Sequence, residues 1–215
     1  MEEVSVVVRW AHLFLGIGWI AMLYYFNFVQ GGFFNVNSPS LQNKYKTSYA
    51  GLTPAKLRWF RWTTGVLLIT AIYMLWKTNN LWSDYIFFSV LMSLCMLINV
   101  LAFIWPAQQI ALGLRKGDRI ASSDRAFSAS RTNNLFCLPI CLCLIASLIN
   151  GNKPEQFLTS LGSQEGSGLF MALLIILGLE LNILFGKQLS KSSQQAFTQT
   201  SVILAGVLFV ALTFI

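Results

Sequence analysis

Residues 81–105 read LWSDYIFFSVLMSLCMLINVLAFIW, twenty-five positions that hold one acid, Asp84, and no base. A helix needs about 20 predominantly apolar residues to cross a bilayer core of about 30 Å. Five further runs have the same character, at 4–30, 57–77, 132–150, 167–186 and 197–215. The expected fold is therefore all-α, a polytopic bundle of six transmembrane helices forming one integral membrane domain over 1–215. No connection between the runs is long enough to fold alone.

Charge gives the bundle a direction. Twelve of the fifteen Lys and Arg residues fall in alternate connections. These are Lys44, Lys46, Lys56, Arg58 and Arg61, then Arg115, Lys116, Arg119, Arg125 and Arg131, then Lys187 and Lys191. Arg9, Lys77 and Lys153 are scattered on the opposite side, where five of the eight acids also lie (Glu2, Glu3, Asp84, Glu155, Glu165). By the positive-inside rule the basic connections are cytoplasmic, and both termini face outward. In a bacterium this places the chain in the inner membrane with periplasmic ends.

Composition agrees. Hydrophobic residues make up 55% and charged residues 11%, too few charges to solvate a soluble domain of this length. The net charge of +7 flanks apolar helices, where it meets anionic lipid head groups rather than nucleic acid. Glu2 and Glu3 replace the basic start of a signal peptide, and the run behind them is about twice a signal core, so the first helix is expected to be retained. Cys95, Cys137, Cys141 and Cys143 all lie inside apolar runs and read as small packing residues. Cys137 and Cys141 share a helix face at i, i+4, a spacing open to a metal or redox pair, but Pro139 between them bends the helix and no His or carboxylate is near in sequence.

The connections carry some signals of their own. Gly31-Gly32 stops the first helix, and Ser38-Pro39 starts a short interfacial helix over 39–50 within the first cytoplasmic connection. The second, Pro106 to Ser130, opens with a proline that starts a helix from Ala107 to Leu114, ended by Lys116-Gly117-Asp118. Trp10, Trp59, Trp62, Trp76, Trp82 and Trp105 lie near helix ends, where indole rings favour the membrane interface. No internal repeat of the transporter kind is visible.

Polar groups inside a bilayer are costly, so each one asks for a reason. Glu180 lies about two-thirds along the fifth run, in Leu-Gly-Leu-Glu-Leu-Asn. A carboxyl at that depth is protonated, paired with a cation or open to a water-filled cavity. It reads as a proton relay or substrate ligand, or else as a neutral acid bonded to a neighbouring helix for packing. His12, the sole histidine, forms a stripe with Arg9, Gly16 and Trp19. It reads as a proton-handling residue beside space left by Gly16, or as a hydrogen-bonded packing residue. Arg131, Asn133 and Asn134 open the fourth run, where an exposed helix N-terminus binds anions, the alternative being ordinary anchoring. Asn27, Asn99, Thr63, Thr64 and Thr70 read as helix-packing glue.

There is no Walker loop, dinucleotide glycine pattern, CxxCH or HExxH, which disfavours covalent haem and classical nucleotide binding. With a single His, haem held by two histidines of one chain is excluded. Non-covalent haem with another axial ligand, or shared between chains, and quinone stay open.

Four segments in order resemble one family. They are Arg9-Trp10-Ala11-His12 with Gly16-Ile17-Gly18-Trp19-Ile20 and Tyr25-Phe26-Asn27-Phe28-Val29-Gln30; Asn99-Val100 with Ile104-Trp105-Pro106-Ala107-Gln108-Gln109; Ala129-Ser130-Arg131-Thr132-Asn133-Asn134 leading to Leu138-Pro139; and Glu180-Leu181-Asn182. Together they are similar to the membrane part of the bacterial integral-membrane, cytochrome-c-linked urate oxidases. The resemblance implies oxidation of urate in the membrane domain, with electrons leaving to a c-type haem on the outward face. It makes His12 and Glu180 the catalytic candidates and Arg131, Asn133 and Trp19 the substrate-binding candidates. Urate would sit among the first, fourth and fifth helices, with His12 roughly 10 Å below the outward surface and Glu180 about 8 Å deeper at 1.5 Å per residue. Full-length family members continue into a cytochrome c domain. These 215 residues hold no CxxCH, so a separate c-type cytochrome is the implied acceptor.

Three function classes remain open at this level. They are a urate-oxidase-like redox protein, a non-catalytic accessory subunit of a respiratory or photosynthetic membrane complex, and a small transporter. All three share the topology, which alkaline phosphatase fusions test. A fusion after Glu155 is expected to be active outside, and one after Gly117 inactive; the reverse pattern refutes the orientation.

Overall fold

Helix is the economical structure for a chain that carries apolar runs into lipid, because it satisfies every backbone N–H and C=O within one segment. A computed structural model describes residues 2–30, 53–78, 83–111, 115–149, 167–185 and 194–214, and every regular element among them is helical. We number the α-helices α1 Glu2–Tyr24, α2 Thr53–Thr78, α3 Asp84–Asn99, α4 Trp105–Ala111, α5 Arg119–Ile149, α6 Ser167–Phe185 and α7 Gln194–Phe214. Single π-helical turns extend α1 through Tyr25–Gln30 and join α3 to α4 through Val100–Ile104. Among the described residues, three stretches are long and apolar enough to cross a membrane, namely Glu3–Tyr24, Asp84–Ile110 and Arg125–Ile149. Ser167–Asn182 and Thr198–Thr213 are apolar but shorter. The interfacial helix expected over 39–50 lies outside the described residues.

Two compact units divide the chain, Met1–Asn79 and Asn80–Ile215. In the first, α1 packs antiparallel on α2. His12 meets Thr70 and Trp19 meets Thr64, so residue numbers rise on one helix as they fall on the other. Gly16 faces this contact, since a Cβ there would lie 3.9 Å from the Leu67 side chain. The space it leaves is turned toward α2.

In the second unit α5 is the central helix, in contact with α3, α4, α6 and α7. Cys143 meets Ser89 and Asn133 meets Asn99, which sets α3 and α5 antiparallel. Ser201 Oγ donates to the Leu135 carbonyl at 3.0 Å, and the Tyr85 and Thr213 hydroxyls are 2.8 Å apart. Those two bonds run α7 parallel to α5. The inward rows follow helical spacing: Phe88, Met92, Cys95, Met96 and Asn99 on α3; Leu169, Ala172 and Ile176 on α6; Leu204, Leu208 and Ala211 on α7. The outer surface is apolar too. Leu148 is 83% exposed and Ile149 76%, with Leu94, Ile98, Leu174, Leu177 and Ile203 also outward. Apolar side chains outside and amides inside suit lipid as the surrounding medium.

Two boundaries differ from the hydropathy reading. α5 begins at Arg119, not near residue 132. Asp118 caps it, its carboxylate accepting from Ala121 N–H at 3.3 Å and its carbonyl from Ser122 N–H at 3.1 Å. No Pro or Gly interrupts Arg119–Ser130. Hydropathy marks where lipid ends, whereas caps and breakers mark where a helix ends. The basic stretch from Arg119 to Arg131 is therefore helix, and only residues 115–118 form the described bend. At Pro106 the helix runs on without a break. The π turn ends with the Trp105 N–H bonded to the Val100 carbonyl, immediately before the residue that has no N–H to give.

Asp118→Ala is expected to cost about 1 kcal/mol, the usual loss of a side-chain N-cap. A thermal melt in detergent checks this, and Asp118→Ser restores most of the loss.

Candidate functional site

At about 1.5 Å per residue, the 31 residues of α5 measure roughly 46 Å, longer than a bilayer core. Near its middle the chain is buried on every side from Arg131 to Cys137. This stretch begins Arg-Thr-Asn-Asn, so four polar residues lie inside the bundle, with Asn133 0% and Asn134 1% exposed. Apolar surroundings supply no water, so each group needs a protein partner.

The partners converge on Asn99. Its side-chain amide donates to Asn133 Oδ1 at 2.9 Å and lies 3.0 and 3.1 Å from the two carboxyl oxygens of Glu180. Asn133 Nδ2 in turn donates to the Met96 carbonyl at 3.2 Å. Cys95, one turn before Asn99 on the same face of α3, bonds Glu180 through its thiol. Three helices thus meet at one amide: α3 through Cys95 and Asn99, α5 through Asn133, and α6 through Glu180.

Local sequence explains the aim of each group. Glu180 continues the inward row Ala172, Ile176 at intervals of four, so α6 turns its carboxyl toward the core while Leu177 and Leu181 face outward. Asn99 continues Met92 and Cys95 in the same way. The π turn starts at the next residue, Val100, and such single wide turns occur frequently at functional sites.

Not every polar atom is satisfied. Asn99 Oδ1 and both side-chain polar atoms of Asn134 are buried and have no hydrogen-bond partner. A buried unmet donor or acceptor costs about 1–3 kcal/mol. Among the described residues, Glu180 is bonded by the Asn99 amide and the Cys95 thiol, both uncharged.

The sequence candidates separate. Glu180 and Asn133 come together, joined by Asn99, a residue whose sequence context alone reads as packing glue. Arg131, 8% exposed, sits two residues from Asn133 and therefore on another face of α5, its guanidinium 4.5 Å from the centre of the Phe127 ring. Because α5 begins at Arg119, Arg131, Asn133 and Asn134 do not form an exposed helix N-terminus, and the anion-site reading based on one is withdrawn. The missed residue, Asn99, had a legible signal as an amide in the middle of the most apolar run.

His12 and Trp19 belong to the N-terminal unit. Thr70 donates its hydroxyl hydrogen to the Val66 carbonyl at 2.9 Å or the Leu67 carbonyl at 3.0 Å. His12 Nδ1 lies 2.7 Å from that hydroxyl, and the ring also bonds the Leu67 backbone. Trp19 is buried and donates its indole N–H to Thr64 at 2.8 Å. Both residues thus join α1 to α2. The four thiols are free, and Cys137 donates to the Asn133 carbonyl at 3.3 Å, a packing role.

Replacing Asn99 by Leu and Asn133 by Leu, singly and together, is expected to give a coupling of about 1 kcal/mol in a double-mutant cycle of unfolding in detergent micelles. Strict additivity would show that the bond contributes nothing. Compared with known proteins, the chain matches no family model, no curated protein and no solved structure.

Proposed function

We propose that the chain is a six-crossing protein of the bacterial inner membrane, with both ends outward, working at the Glu180–Asn99–Asn133 cluster. The antiparallel α1–α2 pair, the antiparallel α3–α5 pair and the run of α7 parallel to α5 support an even number of crossings. On α2, exposed Trp59 and Trp62 lie near one end and Trp76 near the other. At 1.5 Å per residue, Trp59 and Trp76 are about 26 Å apart along the axis, the spacing of two interfacial belts. Lys77 lies 5.0 Å from the Trp76 ring and Arg61 5.9 Å from the Trp62 ring, the company expected of a head-group layer.

The activity proposed is oxidation of a small polar molecule in the membrane, urate being the substrate that the sequence resemblance puts first, with a separate c-type cytochrome as electron acceptor. One observation carries the reading. A carboxyl is held by two uncharged donors at a three-helix junction, where proton transfer is easily coupled to loss of electrons from a bound substrate. Glu180 takes the proton, Asn99 and the Cys95 thiol hold the carboxyl, Asn99 and Asn133 offer the ligand's polar edge a place, and the apolar exterior keeps water away. An optical spectrum of the purified protein tests for non-covalent haem or quinone.

A second reading rests on a different observation. Asn99 bonds Glu180 and Asn133 directly, so the cluster also serves as glue between α3, α5 and α6, as an accessory subunit of an electron-transfer complex would need. Membranes containing the wild-type chain separate the two. Urate-dependent cytochrome c reduction that falls about 100-fold or more in Glu180→Gln supports the enzyme. Absence of turnover, with electron-transfer subunits co-purifying in fixed stoichiometry, supports the accessory role.

A further inference from the structure

Three oxygen atoms crowd one nitrogen at the junction. Asn133 Oδ1 and both carboxyl oxygens of Glu180 lie 2.9, 3.0 and 3.1 Å from Asn99 Nδ2, which has only two hydrogens to share among them. The oxygen of the same amide is buried with nothing to accept from. The Cys95 thiol is a further neighbour of the carboxyl, and the one oxygen of the Asn99 amide faces away from the three gathered at its nitrogen.

We infer that this junction binds one small monovalent cation in exchange for the carboxyl proton of Glu180. A half turn of the Asn99 amide about its last side-chain bond, a soft torsion for asparagine, brings Oδ1 to the place of Nδ2. Four oxygens then face one point: Asn99 Oδ1, Asn133 Oδ1 and the pair from Glu180. Oxygen-only sets of carboxylate and amide carbonyl suit hard cations. The cluster holds one carboxylate, so a monovalent ion leaves it neutral, while a divalent ion would leave a net charge in an apolar bundle. The exchange balances, because the cation enters as the carboxyl proton leaves. The π turn that starts at Val100 widens the backbone directly after the moving amide.

Among the described residues, few other charges face this site. From α3 the titratable neighbour of Glu180 is the Cys95 thiol. On α5 the neighbours are the neutral Asn133, the Arg131 guanidinium laid on Phe127, and the Cys137 thiol bonded to the Asn133 carbonyl. The inference uses the same residues as the redox reading but does not depend on its chemistry.

The test uses the full chain in detergent or nanodiscs. Melting temperature is titrated with sodium, potassium or ammonium chloride against choline chloride at constant ionic strength. At least one small cation is expected to give a saturable rise that choline does not. Lowering the pH by one unit is expected to weaken the apparent affinity by up to about tenfold, because the proton competes for the same carboxyl. Glu180→Gln is expected to remove the saturable rise. Should that variant fail to fold, equilibrium binding of radioactive sodium, and of rubidium as a potassium tracer, to the wild-type chain supplies the answer, with proton competition expected. Superimposed curves for all four salts, or a response that survives Glu180→Gln, overturn the inference. Loss of urate turnover with the cation response intact counts against the redox reading alone; turnover with no cation response counts against this one alone.

Discussion

The bond that organises the C-terminal unit is the amide of Asn99, reaching Glu180 on α6 and Asn133 on α5. In water such a bond exchanges solvent partners for protein ones at small net gain. Within a lipid-facing bundle the alternative to a protein partner is no partner, so the arrangement of helices and the placement of polar groups constrain each other. The apolar exterior of α3, α5, α6 and α7, the inward rows on each helix and the buried run Arg131–Cys137 all follow from keeping those groups together. Ser201 on Leu135 and Tyr85 on Thr213 repeat the pattern with hydroxyls.

In the N-terminal unit the same physics gives a simpler result. Thr70 bonds His12 and Thr64 accepts from Trp19, so the most chemically suggestive residues of α1 are tied to α2. Trp19 is buried with its N–H committed to Thr64.

Much of this was legible in the sequence, and particular residues show why the rest was not. Glu180 stands out because a carboxylate in Leu-Gly-Leu-Glu-Leu-Asn is costly wherever the helix lies in lipid. The row Ala172, Ile176, Glu180 even gives its facing. Asn99 was undervalued, since a neutral amide in an apolar helix is usually packing glue and its carboxyl partner lies 81 positions away. Only three-dimensional proximity promotes it. The start of α5 was misplaced because polarity was read as the end of a helix, although Asp118 and the Ala- and Ser-containing stretch behind it carried the right signal. The π turns at Tyr25–Gln30 and Val100–Ile104 leave no clear mark in composition.

The account stands on the carboxyl of Glu180 and the side-chain nitrogen of Asn99 being direct neighbours in lipid. Solid-state NMR on proteoliposomes, with carbon label in the Glu180 carboxyl and nitrogen label in the Asn99 amide, reports that proximity through their dipolar coupling. In buffer whose only monovalent salt cation is choline, the account predicts a strong cross-peak between the two, lost in Glu180→Ala. Its absence, while a through-space contact between the Asn133 side chain and the Met96 carbonyl is still seen, would contradict it.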